Sequence, residues 1–175
     1  MQTEYEIKIL GIDTAKIKVA LKDAGFSEPV VLQFRRYVYE LATSDTAWVR
    51  LRTDGTLTTV TYKNFVSNSV DGVQELEIVV DSFEKTHELL TLLGYTYKTY
   101  QENKRTLYKN NEVEICIDEW PHIEPYLEIE AGDEATVNTY IQRLNLNDFE
   151  KSSEPTSYIY EKQGLDINSY KELVF

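Results

Sequence analysis

The chain has 175 residues, 42% hydrophobic and 27% charged, the composition of a globular protein long enough to bury a core without staples. Its 18 Lys and Arg against 30 Asp and Glu give a formal net charge of -12, which argues against general nucleic-acid binding, since that needs a basic patch to displace counterions. The single cysteine, Cys116, excludes an internal disulfide or Cys-based zinc cluster, and with no apolar run of bilayer length and a charged N-terminus the expectation is a cytoplasmic protein without membrane helix or signal peptide.

Alternation with period two dominates the chain. Thr3 to Leu10 reads as a strand, with Tyr5, Ile7 and Ile9 on one face and Glu4, Glu6 and Lys8 on the other. Asp13 caps a helix to about Ala24, with Ile17 and Leu21 on its apolar stripe and Gly25 as its stop. Val30 to Leu41 and Ala47 to Thr53 read as strands. Asp54-Gly55 is a hairpin turn leading into Leu57 to Phe65, and Asp71-Gly72 marks a turn before the strand Gln74 to Val80. A second helix runs from near Ser82 to Gly94. Strands follow near Tyr97 to Tyr108, Glu112 to Asp118 and Tyr126 to Ala131, with a tight turn at Asn110-Asn111. A third helix starts at Asp133 and carries Val137, Tyr140, Ile141 and Leu144. The tail from Pro155 reads as two short helical pieces broken at Gly164. The expectation is one α+β domain over 1–175.

The charged strand faces carry the functional signal. Charged pairs at a spacing of two occur as Glu4/Glu6 with Lys8, Arg50/Arg52, Glu75/Glu77 and Glu128/Glu130, while Lys63, Arg105 and Asp118 lie on further strands. The alternate positions, such as Ile7, Leu51, Ile115 and Ile129, are apolar. Like charges two apart on one strand repel. The pattern becomes sensible when strands of opposite sign face each other across a lumen, or when a ligand and its cations intervene. Either the sheet closes into a barrel with a charged interior, or it stays open with one wet face.

Glu4-Tyr5-Glu6-Ile7-Lys8 resembles the N-terminal Glu-x-Glu-x-Lys signature of CYTH domains, the triphosphate tunnel enzymes. Later elements keep the family's order: Gln33 to Tyr37, the Arg50-x-Arg52 strand, Thr61-Tyr62-Lys63, Glu75-x-Glu77, a basic strand with Lys104-Arg105, Ile117-Asp118 and Glu128-x-Glu130. The resemblance spans about residues 3 to 162, with 163–175 as a C-terminal tail. It implies a closed eight-stranded antiparallel tunnel with flanking helices. The chain departs from the family at Asn103, where a lysine is usual, at Arg35, where an acid is common, and at Glu124-Pro125, which replaces a frequent glycine. Lys104 has the parity of an outward residue.

The resemblance implies a metal-dependent triphosphatase acting on inorganic triphosphate or a small organic triphosphate. A class IV adenylyl cyclase making cyclic AMP is the alternative, and a non-catalytic polyphosphate or nucleotide binder a further one. Lys8, Arg50, Arg52, Lys63 and Arg105, with Arg35, are the expected phosphate clamp, because guanidinium forks give bidentate contacts to phosphate oxygens. Glu4, Glu6, Glu128 and Glu130 are the expected ligands of Mg²⁺ or Mn²⁺, hard cations that prefer carboxylate oxygens. Glu75, Glu77 and Asp118 are supporting acids that add a ligand, orient an arginine or position water. No Gly-x-x-x-x-Gly-Lys phosphate loop is present. His87, His122 and Cys116 lack partners at ligand or catalytic spacing and read as structural. The expected partner is a small triphosphate, with neither nucleic acid nor membrane, on a monomer or homodimer.

Overall fold

The computed structural model describes residues 2–66 and 73–175, and for residues 2–4 the backbone alone. In chain order the elements are β1 (Gln2–Leu10), α1 (Thr14–Asp23), β2 (Val30–Leu41), β3 (Ser44–Thr53), β4 (Thr58–Phe65), β5 (Val73–Val79), α2 (Phe83–Leu92) and β6 (Tyr97–Lys109). Then come β7 (Val113–Glu119), β8 (Tyr126–Ala131), α3 (Glu134–Arg143), β9 (Glu150–Ser152), α4 (Thr156–Lys162), a 3-10 turn (Ile167–Ser169) and β10 (Glu172–Leu173). The Asp71-Gly72 turn expected from the sequence lies outside the described residues.

Local chemistry explains the element ends. Asp13, Ser82 and Asp133 accept backbone N–H groups of the first turns of α1, α2 and α3, satisfying donors that a helix start leaves orphaned. Between β3 and β4 the Asp54 carboxylate accepts the N–H groups of Thr56 and Leu57 at 2.8 and 2.7 Å, and Gly55 takes a φ of 92°. That left-handed turn requires glycine.

The class is α+β, with an antiparallel sheet that is strongly curled. Its ladder order is β6-β2-β3-β4-β5-β1-β8-β7, and β7 pairs again with β6 through Lys104↔Glu119 to Lys109↔Glu114. The curl is splayed at one seam. There β1 meets β5 over only Gln2↔Glu75 to Glu4↔Val73, and β9 takes the same edge farther along at Lys8 to Leu10. The short β10 pairs with β6 in parallel at Tyr100 and Gln101.

The outer face of the curl holds the apolar core. Ile7, Ile9, Ile115, Ile117, Leu127 and Ile129 pack under Ile17 and Leu21 of α1 and Val137, Tyr140 and Ile141 of α3. Tyr39 and Leu51 pack under Phe83 of α2. A third cluster joins Trp120 and Tyr126 to Ile159, Tyr160, Ile167 and Leu173 of the C-terminal segment. The sequence pattern anticipated the first two clusters. It missed β9, and in place of a second helical piece the tail forms the 3-10 turn and β10, which add Ile167 and Leu173 to the wall.

Candidate functional site

Directly paired residues of neighbouring strands point to the same side of a sheet, so the register defines the inner face. Glu6 is level with Glu130, Lys8 with Glu128, Cys116 with Glu128, and Arg105 with Asp118. On the other half Arg36 is level with Arg52, Val38 with Arg50, Thr61 with Glu77, and Lys63 with Glu75. All these chains except Thr61, Cys116 and Asp118 line one cavity of about 1160 Å³ inside the curl.

The sign of charge is sorted by wall. Along the ladder path β1 and β2 stand four strands apart in either direction, as do β8 and β3. The acidic pair β1–β8 thus faces the arginine-bearing pair β2–β3. Carboxylate oxygens of Glu6, Glu128 and Glu130 lie within 4.8 Å of one another. Of the four expected metal ligands these three are brought together; the Glu4 side chain lies outside the described atoms.

The three supporting acids all attach to expected clamp residues. Asp118 grips Arg105 with two bonds, Nε at 2.8 Å and Nη2 at 2.6 Å, and the same Nη2 donates to Glu128 at 2.7 Å. Glu77 accepts from the Thr61 hydroxyl at 2.6 Å and lies 3.6 Å from Arg50. Glu75 pairs with Lys63. Lys8 donates to Glu6 at 2.6 Å and stands 3.6 Å from Glu128.

These contacts shape the titration of the site. Burial raises the cost of ionising Glu128, but Arg105, Lys8 and Lys63 overcome it and hold its pKa down at about 2. Burial likewise opposes the charges of Lys8 and Arg105; the carboxylates beside them win, and both pKa values rise. Across the lumen the balance reverses. Burial, Arg50 and Arg105 push Arg52 down to about 9, and burial with Arg50, Arg52 and Arg105 lowers Arg36 well below the usual arginine range. The arginine wall is under mutual repulsion, which an anion between its guanidiniums would relieve.

One predicted clamp residue is corrected. Arg35 lies on the outer face of β2, where its guanidinium bonds Glu84 of α2 at 2.8 Å and covers the Phe83 ring. Parity puts its neighbour Arg36 inside, 7% exposed. The Arg36 guanidinium bonds the amide oxygen of Asn103. Two adjacent arginines left the inward one ambiguous; the period-two register with Tyr37 and Tyr39 outward was the signal that could have found it. Lys104 points outward over Phe175, as its parity required. His87 is structural: Tyr37 stacks on it at 4.0 Å and Tyr39 bonds its Nδ1 at 2.7 Å. The Cys116 thiol, level with Glu128, is buried, and burial pushes its pKa up.

The CYTH-domain family model matches residues 2–158. The chain belongs to the CYTH family. A search of curated proteins finds no match. Among solved structures this CYTH chain is similar to PH1012 of Pyrococcus horikoshii OT3, with a TM-score of 0.73 and 22% identity over 84% of this chain and 94% of that one. It is similar to a proposed adenylate cyclase of Vibrio parahaemolyticus, with a TM-score of 0.70 and 16% identity over 91% and 98%. It is also similar to HpAC1 of Hippeastrum, a proposed adenylyl cyclase described as having a dominant triphosphatase activity, with a TM-score of 0.61 and 12% identity over 97% and 100%. At these identities the likeness is one of fold. No described helix is long and apolar enough to cross a membrane.

Proposed function

We propose that this CYTH domain is a metal-dependent triphosphatase, acting on inorganic triphosphate or a small organic triphosphate in a closed eight-stranded tunnel. The observation that carries the reading is the opposition of two walls: three carboxylates converge within 4.8 Å on β8 and β1, and Arg50 and Arg52 face them from β3. A pure anion binder gains nothing from carboxylates that repel its ligand. A pure cation site gains nothing from an arginine wall. A polyanion carried with a divalent cation fits both.

Glu6, Glu128 and Glu130 fit Mg²⁺ or Mn²⁺, being an all-oxygen, carboxylate-rich set; Glu4, on the same strand, is the fourth proposed ligand. A bound divalent ion supplies charge neutralisation on the phosphoryl oxygens. Arg50, Arg52, Lys63, Arg105 and Lys8 hold the phosphate chain and spread its charge. Asp118 orients Arg105, Glu77 steadies Arg50, and Glu75 steadies Lys63. Water attacks the terminal phosphorus, a new P–O bond forms as the bridging P–O bond breaks, and diphosphate leaves with the electron pair. Positioning and electrostatics supply most of the acceleration.

The test is product analysis with triphosphate, ATP and thiamine triphosphate in Mg²⁺ or Mn²⁺. Orthophosphate from triphosphate is expected. Cyclic AMP from ATP would replace the reading with a cyclase, and binding without turnover would replace it with a binder. Glu6→Gln and Arg52→Ala should each lower kcat/KM by about a hundredfold or more.

A further inference from the structure

The phosphate clamp leaves one buried cation unused. Arg36 stands on β2, level with Arg52 and Gln101. It makes no ion pair with a carboxylate among the described residues. One guanidinium nitrogen donates to the amide oxygen of Asn103, whose own amide nitrogen lies 3.4 Å from Asp118. The Nε of Arg36 is buried and without a hydrogen-bond partner. The guanidinium lies over the Trp120 ring at 4.7 Å, which fixes its plane. Trp120 is itself 6% exposed, and its indole nitrogen is a second buried donor without an acceptor.

Both groups line the tunnel cavity. Arginine and indole are donors only, so whatever satisfies them must bring acceptors. Water could satisfy the N–H groups but not the charge, since a buried cation crowded by Arg50, Arg52 and Arg105 needs a compensating negative charge. Asp118 offsets part of that repulsion but already holds Arg105 with both oxygens, and Glu77 stands beside Arg50, so neither carboxylate is paired with Arg36. A phosphoryl group, with up to two negative charges and several acceptor oxygens, matches both groups.

We propose that Arg36 and the Trp120 indole form a separate phosphoryl subsite, on the wall opposite the carboxylates. The subsite deepens the phosphate-site reading above and rests on it for the identity of the anion. Trp120 is held from behind by the C-terminal cluster, and the Tyr160 hydroxyl donates to the carbonyl of Pro121 at 2.7 Å. The subsite is thus built by β2, the end of β7 and the C-terminal segment together. Its phosphoryl group comes either from the end of the bound chain or from released orthophosphate.

The experiment titrates metal-free protein with orthophosphate and, separately, with triphosphate, following heat or tryptophan fluorescence. The wild type should bind both. Arg36→Gln should weaken binding about tenfold or more, and Trp120→Phe, which keeps an aromatic face but loses the N–H, roughly threefold to tenfold. Arg35→Gln, one residue away on the outer face, should leave both affinities unchanged. Loss confined to orthophosphate assigns the subsite to released product; loss for both ligands assigns it to a phosphoryl group of the bound chain. Wild-type affinities in Arg36→Gln overturn the proposal whether or not triphosphate is hydrolysed, as does failure of the wild type to bind orthophosphate. If thermal melting shows that Arg36→Gln does not fold, Arg36→Lys serves, since it keeps the charge but loses Nε and the planar fork. A Lys variant that binds both ligands like wild type overturns the proposal equally. Weakened orthophosphate binding in Arg36→Gln, together with no triphosphatase activity in the wild type, would sink the catalytic reading and leave the subsite standing.

Discussion

Glu128 joins the two halves of the site chemically: it accepts from Arg105, neighbours Lys8, and contributes to the carboxylate triad. Its pKa of about 2 lies below the ordinary glutamate value of 4.5. A depressed carboxylate stabilises the fold above its unfolded pKa and loses that contribution as pH falls through the folded one. Denaturant melts of wild type and Glu128→Gln should therefore differ by about 3 kcal/mol near neutral pH. The difference should shrink from about pH 4.5 downward and vanish near pH 2; a gap independent of pH would show that Glu128 is not held ionised by its neighbours. Asp118, 1% exposed, is the other carboxylate buried against Arg105, and burial pushes its pKa up. Asp118→Asn leaves Arg105 with half of its fork unmatched and should cost about 3 kcal/mol in urea melts, with kcat/KM falling alongside it.

At the scale of elements, parity decides function. Each strand of the curl presents one face to the lumen and the other outward, where α2 packs on β3 and α3 on β1 and β8, so a shift of one residue there exchanges clamp for core. Strands with a single charged pair, such as Arg50/Arg52 and Glu128/Glu130, were readable because apolar Leu51 and Ile129 marked the core side. On β2 the adjacent Arg35 and Arg36 put charge on both faces and only their parity with Tyr37 and Tyr39 marked the outer one, where Glu84 and Phe83 of α2 hold Arg35. The helix positions that strand face, so its N-cap is a sensitive point. Ser82→Ala removes the bond from Lys85 N–H at 3.2 Å and should lower stability by about 1 kcal/mol in thermal or urea melts, with smaller effects on triphosphate turnover than the lumen substitutions.

For the molecule as a whole, the C-terminal segment is a wall of the site. Ile167 and Leu173 are buried against Trp120 and Tyr126, and the backbone carbonyl of Lys171 accepts the N–H of Tyr100. Deleting residues 163–175 should destabilise the fold by about 3 kcal/mol or more, from the loss of two buried aliphatic side chains and their packing. Calorimetry of the shortened chain checks this, and an unchanged melting temperature would show that the segment is an ornament. The sequence by itself determined the alternating strands, the capped helices, the order of the charged pairs and hence the family. These are local properties, set by side-chain period and by the few residues that suit caps and turns. Only the tertiary structure decided that the acidic wall of β1 and β8 opposes the arginines of β2 and β3. It alone decided that Trp120 and the tail stand behind Arg36. Those facts depend on how far the sheet curls and on which strands meet across it, and residues distant in sequence carry no local period that reports on their meeting.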